Sequence, residues 1–176
     1  VVAEPEPTQL NPSSHPLAAV EHKPNDRPSQ SESISIPAII EGRIERPGDV
    51  DSFKFKAEAG QKLAFEVETL DAKAPYFNPR IGVVDSQDRE LFSNVERRLS
   101  MYNNNAVPEV YLKAAQPKAT HSFERAGEYV LQVRDITSRY GNPNYRYRIL
   151  VRPQIPHVGE ISVIPKENPD ATPEAA

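Results

Sequence analysis

The sequence predicts an all-β chain folded as an antiparallel β-sandwich. Three observations carry this: short runs alternate apolar and polar residues with period two, turn residues separate these runs, and no stretch bears a convincing helical stripe. About eight short strands punctuated by turns bury their alternate residues best as two sheets packed face to face.

Residues 1 to 30, "VVAEPEPTQLNPSSHPLAAVEHKPNDRPSQ", hold six of the eighteen prolines and follow neither period. They are expected to form an extended Pro-rich segment, with 1–23 a linker and the sandwich spanning 24–153. From Ser33 the pattern changes. "SISIPAIIEGRI" sets Ile34 and Ile36 on one face, and Pro37 marks an edge strand or a bulge. "RPGD" is a turn signal, with Pro47 and Gly48 at its centre. "DSFKFKA" then turns Phe53, Phe55 and Ala57 inward, "EAGQ" reverses the chain, and "KLAFEVE" turns Leu63, Phe65 and Val67 inward. Two such runs joined by a Gly-containing connection predict a hairpin with one wet face.

Downstream, "RIGVVDSQDRELF" reads as strand, polar turn and short strand, while "EVYLKA" and "THSFE" are short strands. "NVERRLSMYNN" is the best place for one or two helical turns, inside a long loop. "RAGEYVLQVRD" places Tyr129, Leu131 and Val133 on one face, and "NYRYRILVR" does the same with Tyr145, Tyr147, Ile149 and Val151. Residues 154–176 are read as a tail or the start of a following module.

Composition narrows the function. A net charge of -4 with scattered Arg and Lys gives no basic stripe, so nucleic acid is not an expected partner. Without cysteine there is neither a disulfide framework nor a thiolate site. No apolar run approaches the ~20 residues of a membrane span. The chain opens on Val1 with no secretory leader and is read as a mature piece of something longer. Seven glycines, each spent singly at turns, leave no phosphate-cradling loop. His15, His22, His121 and His157 lie far apart, with no second ligand at metal spacing.

"AIIEGRIERPGDVDSFKFKAEAGQKLAFEVE", followed much later by "FERAGEYVLQVRD" and "YRYRILV", resembles the bacterial pre-peptidase C-terminal (PPC) domain. The match runs over about residues 24 to 152, with a G-D-x-D-x-F turn, an A-G-Q turn, a G-x-Y-x-L-x-V strand and a Tyr-rich last strand in order. The resemblance implies a sandwich of jelly-roll type, carried as a non-catalytic appendage by secreted bacterial proteins, proteases among them. Relatives of the family include the collagen-binding domains of clostridial collagenases. Some of these bind calcium where an acidic segment before the first strand folds back on the sandwich.

Carried onto this chain, the calcium ligands implied by the resemblance are Glu21, Asn25 and Asp26 of "EHKPND" with Asp49 and Asp51 of "GDVDSF". The chain departs from that pattern at Lys23, where an acidic residue is typical; an ammonium repels a metal ion. The residues also have a sufficient structural reading, in which the Asp side chains satisfy backbone N–H groups of a turn. Catalysis by Asp49 and Asp51 is disfavoured: carboxylates two residues apart on a turn are expected to lie together near solvent and not to face a substrate across a pocket.

Tyrosine is favoured at interfaces. Tyr129, Tyr145 and Tyr147 are expected in the core, whereas Tyr102 and Tyr140 are the candidates for partner contact. The expected function is that of a non-catalytic, monomeric accessory module of an exported multidomain bacterial protein, secreted or in the cell envelope. It would bind, or would space and stabilise neighbouring domains. Calcium-dependent binding of a fibrous protein or polysaccharide is the alternative, and a small hydrolase the disfavoured one. An enzyme should show a deep pocket with perturbed titratable groups. A binder should show an exposed apolar or Tyr-rich patch, and a spacer neither pocket nor patch, with its two termini leading to linkers at opposite ends.

Overall fold

The computed structural model describes residues 16–70, 77–99 and 111–154. Its strands are β1 (Leu17–Val20), β2 (Glu32–Ser33), β3 (Ala38–Arg43), β4 (Asp51–Ala57), β5 (Lys62–Thr69) and β6 (Pro79–Val84). They continue with β7 (Glu90–Ser93), β8 (Val95–Leu99), β9 (Tyr111–Ala115), β10 (Lys118–Ser122), β11 (Gly127–Asp135) and β12 (Arg146–Pro153). One five-stranded sheet runs β1-β3-β12-β5-β10, a second runs β2-β4-β11-β6-β7, and β8 pairs with β9 alone. The core lies between the two large sheets, so the all-β sandwich is what the chain forms.

Period-two patterning has the expected consequence on every long strand. Phe53, Phe55 and Ala57 of β4 are buried, as are Leu63, Phe65 and Val67 of β5 and Tyr147, Ile149 and Val151 of β12. At one end the filling is aromatic. The Phe55 ring lies 5.9 Å from Phe65, 5.8 Å from Phe123 and 6.0 Å from Tyr129, which ties β4 and β11 to β5 of the facing sheet.

Four departures from the sequence reading have physical causes. The pairing is not wholly antiparallel, because β1 runs parallel to β3 and β2 parallel to β4. Both exceptions are the N-terminal edge strands, laid down as the chain enters each sheet. Next, β4 and β5 form no hairpin: β4 pairs with β2 and β11, β5 with β12 and β10. The Gly60 turn, at φ 79°, therefore carries the chain from one sheet to the other. Alternating burial is the same for strands side by side and strands face to face across a core, so period cannot separate the two.

Third, the run around Pro37 is divided. β2 joins one sheet, β3 joins the other, and Pro37 sits in the crossing, where its missing N–H breaks no ladder. Fourth, Val95–Leu99 is strand rather than helix, held by its antiparallel register with Tyr111–Ala115. A partner distant in sequence supplies that order, and no local pattern announces it. The segment Leu17–Val20, within the stretch read as linker, is likewise a strand because β3 gives it partners.

Register also fixes where the strands of the first sheet begin and end. Leu17 pairs with Ala38, and Ala38 with Val151, so β1 begins and β12 ends at the same end of that sheet. Two inter-strand spacings put them about 10 Å apart. Among the described residues, then, the first and last strands of the sheet do not show the opposite-ends geometry expected of a spacer.

Candidate functional site

At the other end of the first sheet, two connections cross to the second sheet side by side. One is the strap from Glu21 to Ser31, leading from β1 to β2; the other is the turn from Ile44 to Val50, leading from β3 to β4. Gly48 is needed in this turn because its φ is 77°, in the left-handed region that side chains disfavour. The Asp49 N–H donates to the Arg46 carbonyl at 3.1 Å, and Asp49 Oδ2 accepts the Glu45 N–H at 2.7 Å. Asp49 thus does what the structural reading asks of it. Asp51 opens β4 two residues later, on the same inward parity as Phe53.

The strap delivers a cation to these carboxylates. Lys23 Nζ lies 2.7 Å from Asp49 Oδ2, 3.3 Å from Asp51 Oδ1 and 3.3 Å from Glu21 Oε1. Asp51 Oδ2 accepts the Tyr147 hydroxyl at 2.7 Å, and Glu21 Oε2 accepts the Arg43 N–H at 2.7 Å. Arg46 pairs with Asp26 and stands 3.8 Å from Asp49 Oδ1. Asn25, two residues after Lys23, is fully buried, and its side-chain amide has no hydrogen-bond partner. Of the five residues expected by resemblance, four meet at this corner of the sandwich, Asp49, Asp51 and Glu21 through Lys23 and Asp26 through Arg46, while Asn25 lies on the strap with no hydrogen bond to them.

Charge and burial set the protonation. Burial lowers the affinity of Lys23 for its proton, but the carboxylates of Asp49, Asp51 and Glu21 outweigh it and hold the ammonium above its ordinary value. Burial, with the nearby Glu21 charge, pushes Asp51 up to about 8, against the Tyr147 hydrogen bond and the Lys23 charge. The hydrogen bond from Arg46 holds Asp26 below the usual carboxylate range.

A pH dependence follows. Asp51 binds its proton more tightly folded than unfolded, so its contribution to stability is full below the unfolded value of ~3.9 and is lost as pH rises through about 8. Urea titrations at pH 6 and pH 9 should show stability falling over that interval, and Asp51→Asn should reduce the fall. His22, exposed and raised by its Glu32 bond, loses stability over an overlapping range in both proteins, so the difference between them isolates Asp51.

The donor set does not fit calcium as it stands. Calcium takes six to eight oxygens at 2.3–2.6 Å, whereas the space these carboxylates face holds an ammonium, and one Asp51 oxygen is spent on Tyr147. Among the described residues no group of three or more His, Cys, Asp or Glu is placed to hold a metal ion. Acid–base catalysis is no better served, because the side chains of Asp49 and Asp51 have no exposure to solvent.

Two participants were missed in the sequence. Tyr147 was read only as core, yet a fully buried Tyr in place of Phe already calls for a hydroxyl partner. Arg46, in "IERPGD", had no signal beyond its place in the turn. Gly42 matters for a third reason: a Cβ there would overlap the Tyr147 hydroxyl and the Glu21 carboxylate. Gly42→Ala is expected to cost about 1–3 kcal/mol, measured by urea titration.

The aromatic candidates separate. Tyr129, Tyr145 and Tyr147 are core, with the Tyr129 hydroxyl donating to the Arg125 carbonyl at 2.7 Å. Tyr140 is exposed, in the loop between β11 and β12 that packs on the Asp49 turn: the Gly48 N–H donates to the Ser138 carbonyl at 3.0 Å, and the Asn142 N–H to the Ile44 carbonyl at 2.8 Å. Tyr102 lies outside the described residues. His121 stacks on Phe92 at 4.6 Å, a packing role.

These features define a β-sandwich domain whose buried acidic corner is closed by its own lysine. No family model and no curated protein matches the chain. Among solved structures it is similar to the pre-peptidase C-terminal domain of the Bacillus anthracis collagenase, at 16% identity and a TM-score of 0.45, over 73% of this chain and 100% of that one. It is also similar to PliG, a periplasmic inhibitor of g-type lysozyme. For the Aeromonas hydrophila protein the identity is 10% and the TM-score 0.44, over 78% of this chain and 100% of that one. For the Salmonella Typhimurium protein they are 15% and 0.39, over 70% and 99%. Likeness at this level transfers no function, and the fold class rests on the chain's own strand pairing.

Proposed function

We propose that the chain is a non-catalytic accessory module, of the PPC kind its motifs resemble, in an exported multidomain bacterial protein, and that it acts by binding an extracellular fibrous protein or polysaccharide. The sandwich begins at Leu17, so the strand in the stretch read as linker belongs to the module. The observation that carries the reading is the placement of the strand ends. β1 begins and β12 ends side by side, at the end of the first sheet opposite the Tyr140 loop. Tyr140 is 43% exposed there, on a loop fastened to the buried corner. A rigid aromatic anchor on a braced loop suits recognition, because little order has to be created on contact. Catalysis is not part of the reading, since the perturbed carboxylates are sealed from any substrate.

Cosedimentation of the chain with insoluble protein fibres and with insoluble polysaccharides tests this. One polymer class should retain the chain, and Tyr140→Ala should weaken retention about tenfold with an unchanged melting temperature. If no polymer retains it, or the variant is retained equally well, the module contacts only its neighbouring domains.

A further inference from the structure

We propose that Lys23 is a tethered cation: its ammonium fills a cation site formed by Glu21, Asp49 and Asp51, so that the strap closes on the sandwich without any free ion. This holds whatever the Tyr140 loop binds.

The argument begins with what orients the carboxylates. Each is held by a donor other than Lys23: Glu21 by the Arg43 N–H, Asp49 by the Glu45 N–H, and Asp51 by the Tyr147 hydroxyl, all at 2.7 Å. The oxygens that face Nζ are therefore positioned by the strap, the turn and the two strands, and the ammonium enters a cage already set. The other Asp49 oxygen, Oδ1, is buried without a hydrogen bond and stands 3.8 Å from the Arg46 guanidinium. Without a cation, the Glu21 and Asp49 carboxylates and the Asp51 carboxyl would be confined together out of water, an arrangement that needs a counter-charge.

Dimensions identify the occupant. The N···O distances of 2.7, 3.3 and 3.3 Å are those of an ammonium, hydrogen-bonded to Asp49 and Asp51 and ion-paired with Glu21. Calcium–oxygen distances of about 2.3–2.6 Å are shorter, so a calcium ion would have to draw Glu21 and Asp51 inward. Geometry also explains why the lysine comes from the strap. Lys23 is two residues from Glu21, and its side chain, 25% exposed, reaches both the turn and the first residue of β4. One residue thus fastens three segments, a task a diffusible ion would perform only while bound.

Thermal melting in chelator and in millimolar calcium tests the inference, using the whole chain and two variants. Lys23→Ala empties the cage; Lys23→Gln fills it with a neutral group of similar length. The native melting temperature should be the same in both conditions. Both variants should melt lower in chelator, and Lys23→Ala should regain about 5 °C with calcium or with propylammonium, which replaces the deleted atoms. Lys23→Gln should regain nothing. If Lys23→Ala is unfolded in chelator, folding on addition of either cation, read by circular dichroism, is the equivalent result. A calcium shift in the native chain overturns the proposal. So does a Lys23→Ala variant that loses no stability, or one that neither cation restores.

Discussion

Asp49→Ala is expected to destabilise the protein by about 3–5 kcal/mol, the range for removing one partner of a buried ion pair. The carboxylate has no exposure and does three things at once: it accepts from Lys23 at 2.7 Å, accepts the Glu45 N–H at 2.7 Å and stands 3.8 Å from the Arg46 guanidinium. Its loss leaves a partly buried ammonium with weaker partners and an unpaired backbone N–H in the turn. Urea titration measures the effect, and Asp26→Ala is the control. Asp26 pairs with Arg46 at a site where both side chains are well exposed, 38% and 57%, so its removal should cost no more than ~1 kcal/mol. Equal costs for the two variants would mean that the buried corner contributes no more than a surface ion pair. Amide exchange adds a local readout. The Glu21 N–H, which donates to the Glu41 carbonyl at 3.0 Å, should lose protection in Asp49→Ala if the strap is fastened through Lys23.

The acidic corner shows how far the sequence could be read. "GDVDSF" announces a turn launching a strand, but its two carboxylates, expected near solvent, are buried, because Asp51 shares the inward parity of Phe53 and the Glu21–Ser31 strap crosses beside the turn. The resemblance nominated the strap, and the mismatch at Lys23 was visible as a departure. What could not be read was the sign of its role. As a sequence feature Lys23 is a repulsive neighbour for a metal; in the fold, its Nζ stands among the carboxylates and is the counter-charge itself. That distinction depends on where a four-carbon stem ends, and residue spacing carries no such information. Tyr147 illustrates the same limit: alternation assigned it to the core, but its partner, Asp51, lies 96 residues away in the chain.

Strand pairing was hidden for a related reason. Alternating burial encodes which residues face inward and leaves open which neighbour each strand takes. The β4 and β5 runs have the same pattern as a hairpin, yet the structure puts them in facing sheets. Edge strands are hidden more deeply, since β1 carries "LAAV", too short and too uniform to show a period. Its parallel register with β3 nonetheless fixes the strap's starting point, and with it the approach of Lys23 to the Asp49 turn.

Phe55→Ala is the counterpart in the apolar core and is expected to cost about 3–5 kcal/mol. The side chain is 2% exposed, and its ring contacts Phe65 on the facing sheet, Phe123 just after β10, and Tyr129 on the neighbouring strand. Those rings are anchored on separate strands and cannot all close around the deleted one, so a cavity should remain and add to the lost transfer energy. Phe55→Leu, which keeps most of the volume, should cost clearly less. The comparison with Asp49→Ala separates two kinds of support. Phe55 holds the sheets together through non-directional contact, so its loss should be nearly independent of pH and salt. Asp49 acts through charge and through a hydrogen bond, and Asp49→Asn separates the two, because the amide oxygen keeps an acceptor for the Glu45 N–H while the charge facing Lys23 is lost. An Asp49→Asn cost close to that of Asp49→Ala would place the contribution in the pairing with Lys23, and a small one would place it in the turn hydrogen bond to Glu45.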